Sequence, residues 1–88
     1  MTYSVRLNRA AERELDRLAP RFHRQVLAKI VALGENPRPQ DVKLLKGHGR
    51  SYRVDSGEYR VLYEIDDESR TVLVFRVGNR KDVYRGMW

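Results

Sequence analysis

The sequence contains no cysteine, and this absence excludes two common ways of stabilising a small domain. Neither a disulfide framework nor a thiolate zinc site can support the fold, so apolar packing must do so. The sequence also lacks an apolar run of transmembrane length and a segment typical of a secretory signal. We therefore expect a cytoplasmic protein that makes no membrane contact.

Acidic residues are scarce relative to basic ones. The chain has 18 Lys and Arg residues against 12 Asp and Glu residues, which gives a formal net charge of +6. Such an excess is typical of proteins that bind phosphate backbones, although it also occurs in proteins that bind acidic proteins. Arginine outnumbers lysine, and its planar guanidinium can contact a phosphate through two N–H groups at once. The composition favours an anionic partner, with nucleic acid as the first candidate.

The length of 88 residues allows one domain, spanning residues 1–88, with one modest core. Alternating apolar residues predict a strand over residues 2–7. Asn8 is suited to cap an amphipathic helix over residues 10–18. Pro20 is well placed to begin a second, longer helix, and Gly34 is expected to end it through a left-handed C-cap.

Three further strands are predicted over residues 51–55, 58–65 and 70–77. Their connections are too short for a parallel crossover, so the strands must form an antiparallel meander. The predicted fold class is α+β: one strand, two antiparallel helices, and a three-stranded meander with the helices packed on one face of the sheet.

The alternation of side chains along each strand predicts which of them face the helices. The face under the helices should carry Tyr52, Val54, Tyr59, Val61, Tyr63, Ile65, Leu73, Phe75 and Val77. The opposite face should carry Arg53, Asp55, Arg60, Leu62, Glu64, Val72, Val74 and Arg76, with Arg80 just beyond the last strand. Charged residues on that face fit a solvated surface, whereas its apolar residues favour a platform for bases or a partner.

Two segments carry a family resemblance, GEYRVLYEI at residues 57–65 and VGNRKDVYR at residues 77–85. Together they resemble the C-terminal signature of the RelE/ParE toxin superfamily, and LLKG at residues 44–47 matches its pattern as well. The resemblance implies the toxin of a type II toxin-antitoxin system and a cognate antitoxin protein as partner. RelE-type toxins cut mRNA in the A site of a 70S-type ribosome by 2′-hydroxyl attack on the adjacent phosphate, with no metal and no cofactor.

The resemblance implies that the catalytic residues are Arg53, Arg60, Arg80 and Tyr84. An arginine does not readily lose its proton, so its natural task is to stabilise the charge that develops on the phosphate. In the best-known form of the family a second basic residue follows two positions after the first. That position falls on Asp55 here, which could be the base or could hold Arg60 or Arg53 in place.

Further basic residues are candidates for RNA binding: Lys43, Lys46, Arg50, Arg76, Lys81 and Arg85. Lys43, Lys46 or His48 could also reach the site from the loop before the meander. His48 lies between two glycines, and its expected role is that of a solvated loop residue, because the resemblance implies no catalytic histidine there.

Two alternatives to a ribonuclease remain open. A ParE-like inhibitor of DNA gyrase would share the fold and lack nuclease chemistry. A relative without toxicity would only bind a partner, and Asp55 is the feature that supports this alternative. Arginines at positions 53, 60 and 80 together with Tyr84 favour the ribonuclease over the gyrase inhibitor.

Overall fold

The structure, a computed structural model, describes residues 2–45, 47 and 49–86. Predictions about Lys46 and His48 therefore lie outside the described residues. Along the chain the elements are β1 (Ser4–Leu7), α1 (Arg9–Asp16), α2 (Pro20–Glu35), β2 (Lys43–Leu44), β3 (Ser51–Ser56), β4 (Tyr59–Asp66) and β5 (Thr71–Asn79). The predicted α+β class and order of elements are confirmed, and β2 is an additional short strand.

The strands form one sheet in the order β1-β5-β4-β3-β2. The predicted meander is present, because β3 pairs antiparallel with β4 and β4 pairs antiparallel with β5. β2 extends the sheet antiparallel to β3, whereas β1 lies parallel to β5. In the described part of the chain, neither helix is long and apolar enough to cross a membrane.

Helix α1 begins as the sequence predicts. Asn8 has extended backbone angles, and its side-chain Oδ1 accepts a hydrogen bond of 2.9 Å from the backbone N–H of Ala11. This bond satisfies one of the backbone donors that the first turn of a helix leaves without a partner. Ala11 and Leu15 then face the core, which fixes the orientation of the helix on the sheet.

The predicted C-cap at Gly34 is wrong, because α2 continues through Gly34 to Glu35. The glycine has a different use. The N–H of Tyr3 donates to the carbonyl of Gly34 at 2.7 Å, and a Cβ at this position would lie only 3.2 Å from the Tyr3 carbonyl oxygen and a Val5 methyl. The missing side chain lets the chain entering β1 approach the helix closely.

The main core lies between the helices and the sheet. Its buried members come from both helices and from three strands: Ala11, Leu15, Val26, Ile30, Leu33, Val54, Val61, Tyr63, Ile65, Val72, Val74 and Val77. The predicted inward faces of β3 and β4 are therefore correct. Burial of this set supplies the hydrophobic stabilisation that a chain without disulfides requires.

The predicted faces of β5 are wrong for residues 72–75, and a β-bulge explains the difference. Leu62 of β4 lies opposite Arg76, but its neighbour Tyr63 lies opposite Val74, so Phe75 is an extra residue in β5. An extra residue reverses the alternation of side chains on one side of it. Val72 and Val74 consequently lie under the helices, and Phe75 packs on the opposite face.

A second, smaller cluster covers part of the face away from the helices. Leu45, Leu62 and Val83 are buried there, with Phe75 and Tyr84 packed against them. Val83 and Tyr84 belong to residues 80–86, which we call the C-terminal segment. Leu62 is fully buried, so it is not the exposed platform that strand alternation suggested.

A buried hydrogen bond links the sheet to the chain after α2. Tyr63 is fully buried, and its hydroxyl donates to the carbonyl of Pro37 at 2.7 Å. The substitution Tyr63→Phe removes the hydroxyl and leaves the Pro37 carbonyl without this partner. We therefore expect a loss of about 1–2 kcal/mol in the free energy of unfolding. Urea denaturation followed by circular dichroism measures this loss. Tyr59→Phe is the control, since no hydrogen bond to the Tyr59 hydroxyl occurs among the described residues, and an equal loss there would contradict the prediction.

The turn between β4 and β5 is tied to two other parts of the fold by Asp67. Arg38 donates to both oxygens of Asp67, at 3.1 and 3.0 Å, and the Tyr3 hydroxyl donates to Oδ1 at 2.7 Å. These hydrogen bonds, first from Arg38 and then from Tyr3, lower the pKa of Asp67 to about 2. The carboxylate is stabilised in the folded state relative to the unfolded chain.

The lowered pKa predicts a pH-dependent contribution to stability. Because the carboxyl group of an unfolded chain titrates near 4, the contribution of Asp67 is complete above about pH 4 and is lost as pH falls towards about 2. The difference in Tm between the natural chain and Asp67→Asn should therefore shrink over that range, and high salt should reduce it because the site is exposed. Glu68→Gln, which removes a neighbouring exposed carboxylate, controls for net charge. A difference that is constant with pH would contradict this assignment.

Candidate functional site

The face of the sheet away from the helices carries two cross-strand rows of side chains. In the first, Lys43, Arg53, Leu62 and Arg76 lie opposite one another on β2, β3, β4 and β5. In the second, Asp55, Arg60 and Gly78 lie opposite one another on β3, β4 and β5. We call this surface the arginine face, and the two rows place its charged groups around the buried Leu62.

Arg53 contacts the C-terminal segment directly. Its Nη1 donates a hydrogen bond of 2.7 Å to the hydroxyl of Tyr84. The Tyr84 ring packs against the small cluster of Leu45, Leu62 and Val83, so the phenol is half-buried and held at both ends. The fold thus brings together two residues that are 31 positions apart in the chain.

Arg60 is held at several points beside Asp55. Its Nε lies 3.0 Å from Asp55 Oδ1, and its Nη1 donates to the carbonyls of Gly57 and Tyr59 at 3.0 and 3.1 Å. The Nε and Oδ1 atoms are buried and not aligned for a hydrogen bond, so their attraction is mainly Coulombic. With only 13% of its side chain exposed, Arg60 has a fixed orientation that Asp55 helps to set.

Arg80 follows β5 immediately and is paired with Glu58, at the turn between β3 and β4. Its backbone N–H donates to the Glu58 carbonyl at 2.8 Å, and its Nε lies 3.0 Å from Glu58 Oε1. The side chain of Arg80 is 53% exposed, far more than that of Arg60. Arg80 can therefore turn towards a ligand at little cost, because an exposed ion pair contributes little to stability.

The remaining basic candidates do not form one cluster with the four catalytic candidates. Lys43 is exposed beside Arg53, and Lys81 and Arg85 are exposed in the C-terminal segment, where Arg85 Nη2 lies 3.3 Å from Asp82. Arg76 pairs with Glu14 of α1. Arg50 lies elsewhere, in the groove described next, and Lys46 is outside the described residues.

A groove of about 780 Å³ occupies the other end of the same sheet face. Arg6, Arg50 and Glu64 line it, and residues 66–69 form part of its wall. Its acidic residues outnumber its basic ones, so it is less suited to an anion than the arginine face. Among the described residues, acidic and histidine side chains form no group of three that could hold a metal ion.

Two carboxylates near the site were not predicted from the sequence. Glu58 pairs with Arg80, and Glu14 accepts from β5 through both of its oxygens. Glu58 stands at the start of the signature segment, but its contact depends on how the chain turns after β5. Glu14 lies on a helix 62 positions from Arg76, so no local pattern in the sequence could reveal the contact.

Comparison with known proteins finds relatives that are all named as toxins. Residues 5–84 match the family model described as the ParE toxin of the type II toxin-antitoxin system parDE. The chain is 37% identical to the toxin RelG of Mycobacterium tuberculosis, over 97% of this chain and 99% of that protein. It is 31% identical to the mRNA interferase toxin RelE of Escherichia coli, over 92% and 86% of the two chains.

Solved structures give the same result at the level of the fold. A chain of the toxin-antitoxin complex RelBE2 from M. tuberculosis superposes with a TM-score of 0.82, at 34% identity over 93% of this chain and 95% of that one. A chain of the archaeal RelE-RelB complex from Pyrococcus horikoshii superposes with a TM-score of 0.79, at 27% identity over 94% and 100%.

Proposed function

The chain belongs to the RelE/ParE superfamily of type II toxins, and from this premise we propose that it is a ribosome-dependent endoribonuclease. It would cleave mRNA in the A site and so inhibit translation. The observation that supports this most is the placement of Arg53, Arg60, Arg80 and Tyr84 on or beside the arginine face. A similar relative is named as an mRNA interferase, and cationic groups of this kind favour RNA cleavage by stabilising the charge that develops on the phosphate.

The proposed reaction forms a bond between the 2′ oxygen and the adjacent phosphorus and breaks the bond to the 5′ oxygen. The phosphate gains negative charge in the transition state, while one proton leaves the 2′ hydroxyl and another reaches the 5′ oxygen. Arg53, Arg60 and Arg80 stabilise the added charge. Because arginine keeps its proton, Tyr84 is the member of the set that exchanges a proton with the reacting oxygens.

In this proposal the three arginines differ in mobility. Arg60 is already fixed by Asp55 and by two backbone carbonyls, so it presents its charge without a large loss of side-chain entropy. Arg80 is exposed and exchanges its contact with Glu58 for a phosphate oxygen. Arg53 supplies charge beside the phenol to which it donates.

The proposed partners are the ribosome with its mRNA and a cognate antitoxin. The solved relatives from M. tuberculosis and P. horikoshii are complexes of a toxin with its antitoxin, and we infer that this chain also has one. The proposed reaction takes place on ribosomes, which implies action in the cytoplasm. Neither a metal nor a cofactor enters the proposed chemistry.

Loss of either arginine tests the proposal. We expect Arg60→Ala and Arg80→Ala to reduce mRNA cleavage by about a hundredfold or more, because each removes a donor to the transition state. The measurements are growth after induction and mapping of cleaved ends in translated mRNA, with circular dichroism to show that the variants fold. Arg24→Ala, at an exposed position on α2, is the matched control for net charge. If both site variants remain fully toxic, the site is wrong.

A second function has one specific observation in its favour, since the matching family model is described as a ParE toxin. A gyrase inhibitor of that kind would bind a protein and need no nuclease chemistry. The same induced cultures distinguish the two functions. Broken DNA with intact mRNA would establish the gyrase inhibitor, whereas cleaved mRNA with intact DNA supports the ribonuclease.

Asp55→Asn tests whether Asp55 orients Arg60 or acts as the base. If the carboxylate only orients Arg60, cleavage should fall less than about tenfold, because the carbonyls of Gly57 and Tyr59 still hold the guanidinium. The KM for RNA should also be lower, because Arg60 without the Asp55 carboxylate attracts the anionic substrate more strongly. A loss of about a hundredfold or more, with a changed acidic limb of the pH–rate profile, would identify Asp55 as the base. Glu58→Gln makes the same change beside Arg80, because it removes the carboxylate that pairs with that arginine.

A further inference from the structure

Glu14 is an acidic residue of α1 that contacts the sheet. Its Oε1 accepts a hydrogen bond of 2.8 Å from the backbone N–H of Val77, and its Oε2 lies 3.3 Å from Arg76 Nε. About a quarter of the Glu14 side chain is exposed, so this carboxylate is partly shielded from water. One side chain thus serves two donors on consecutive residues of β5.

The position of these donors explains why a carboxylate is needed. β1 pairs with β5 only as far as Val74, where Leu7 is the last partner and the N–H of Asn8 donates to the Val74 carbonyl. Beyond that point, β5 has no strand on this side in the part of the chain that the structure describes. Glu14 takes the place of the missing strand by accepting the N–H of Val77. An unpaired backbone donor in a partly buried position would otherwise cost stability.

Arg76 also contacts the C-terminal segment. Arg76 Nη1 donates to the backbone carbonyl of Arg85 at 3.2 Å. Other contacts also hold the segment near Tyr84: Val83 is buried in the small cluster, and the Tyr84 hydroxyl accepts from Arg53. The series of contacts from Glu14 to Arg76 to Arg85 therefore ends next to Tyr84, whose hydroxyl accepts from Arg53.

We propose that Glu14 is a positioning residue, which holds Arg76 against the Arg85 carbonyl and so fixes Tyr84 beside Arg53. Its effect on RNA cleavage depends on the proposed ribonuclease function, but its effect on the position of Tyr84 does not. In this arrangement Arg76 has its cationic group engaged by Glu14 and Arg85. Arg76 acts within the protein and does not need to touch the RNA.

The position of Tyr84 can be measured without any activity. In protein labelled at tyrosine, Tyr84→Phe identifies the Tyr84 ring signals by NMR. We expect Glu14→Ala and Arg76→Ala to shift or broaden those signals and to leave the signals of Tyr63, on the other face, unchanged. Glu12→Gln, an exposed acid on the same helix, is the matched control and should leave both sets in place.

A milder variant covers the case in which Glu14→Ala does not fold. In Glu14→Gln a single amide oxygen remains, so it can accept from Val77 or from Arg76 but not from both. We expect an intermediate shift of the Tyr84 signals. Unchanged Tyr84 signals in Arg76→Ala and Glu14→Gln, with both proteins folded, would overturn the proposal.

Cleavage of translated mRNA supplies the second measurement. Glu14→Gln and Arg76→Ala should each lower the cleavage rate by about tenfold, since small displacements of reacting groups are costly. The double variant should be no worse than the more severe single one. In a Tyr84→Phe background, where the hydroxyl is already missing, Glu14→Gln and Arg76→Ala should each add little further loss, because they act through Tyr84. If the losses in cleavage rate from the single variants multiply in the double variant, Glu14 only stabilises the fold. If the natural chain cleaves no RNA, the proposed function fails and the NMR result alone decides the role of Glu14.

Discussion

The β-bulge at Phe75 is the constraint on which both faces of the sheet depend. Before it, β5 directs Val72 and Val74 to the helices; after it, the same strand directs Arg76 to the arginine face. A regular strand could not do both, because strict alternation would turn either the valines or the arginine to the wrong side. The extra residue also adds Phe75 to the small cluster on which Tyr84 rests. One backbone irregularity therefore serves the core and the site together.

Three arginines on or beside the arginine face are each paired with a carboxylate. Asp55 faces Arg60, Glu58 faces Arg80, and Glu14 faces Arg76, whereas Arg53 donates to a neutral phenol. Cations gathered without such partners would repel one another and destabilise the fold. The pairs hold the less exposed Arg60 and Arg76 in defined positions before any anion arrives, whereas Arg80 is more exposed. A site arranged in this way needs little rearrangement when charge develops on a phosphate, which is how preorganised groups lower a reaction barrier.

The sequence predicted those features that depend on local patterns. The cap at Asn8 and the inward faces of β3 and β4 follow from side-chain type and spacing, and the structure agrees. The faces of β5 could not be read in the same way, because residues 72–75 are all apolar and a bulge leaves no mark in such a run. The close approach at Gly34 depends on a distant strand. The four candidate catalytic residues came from family resemblance, but contacts such as Glu14 with Arg76 exist only in the folded chain.

The charge at position 55 determines the immediate surroundings of Arg60. A basic residue there would stand directly opposite Arg60 and repel it, whereas Asp55 draws the guanidinium to within 3.0 Å. Arg60 therefore becomes a fixed and largely neutralised donor. Arg80 and Lys43 are more exposed than Arg60, which makes their side chains more accessible to an approaching anion. Under the proposed ribonuclease function, capture and stabilisation of a phosphate are divided between exposed cations at the rim and a fixed one in the middle of the sheet.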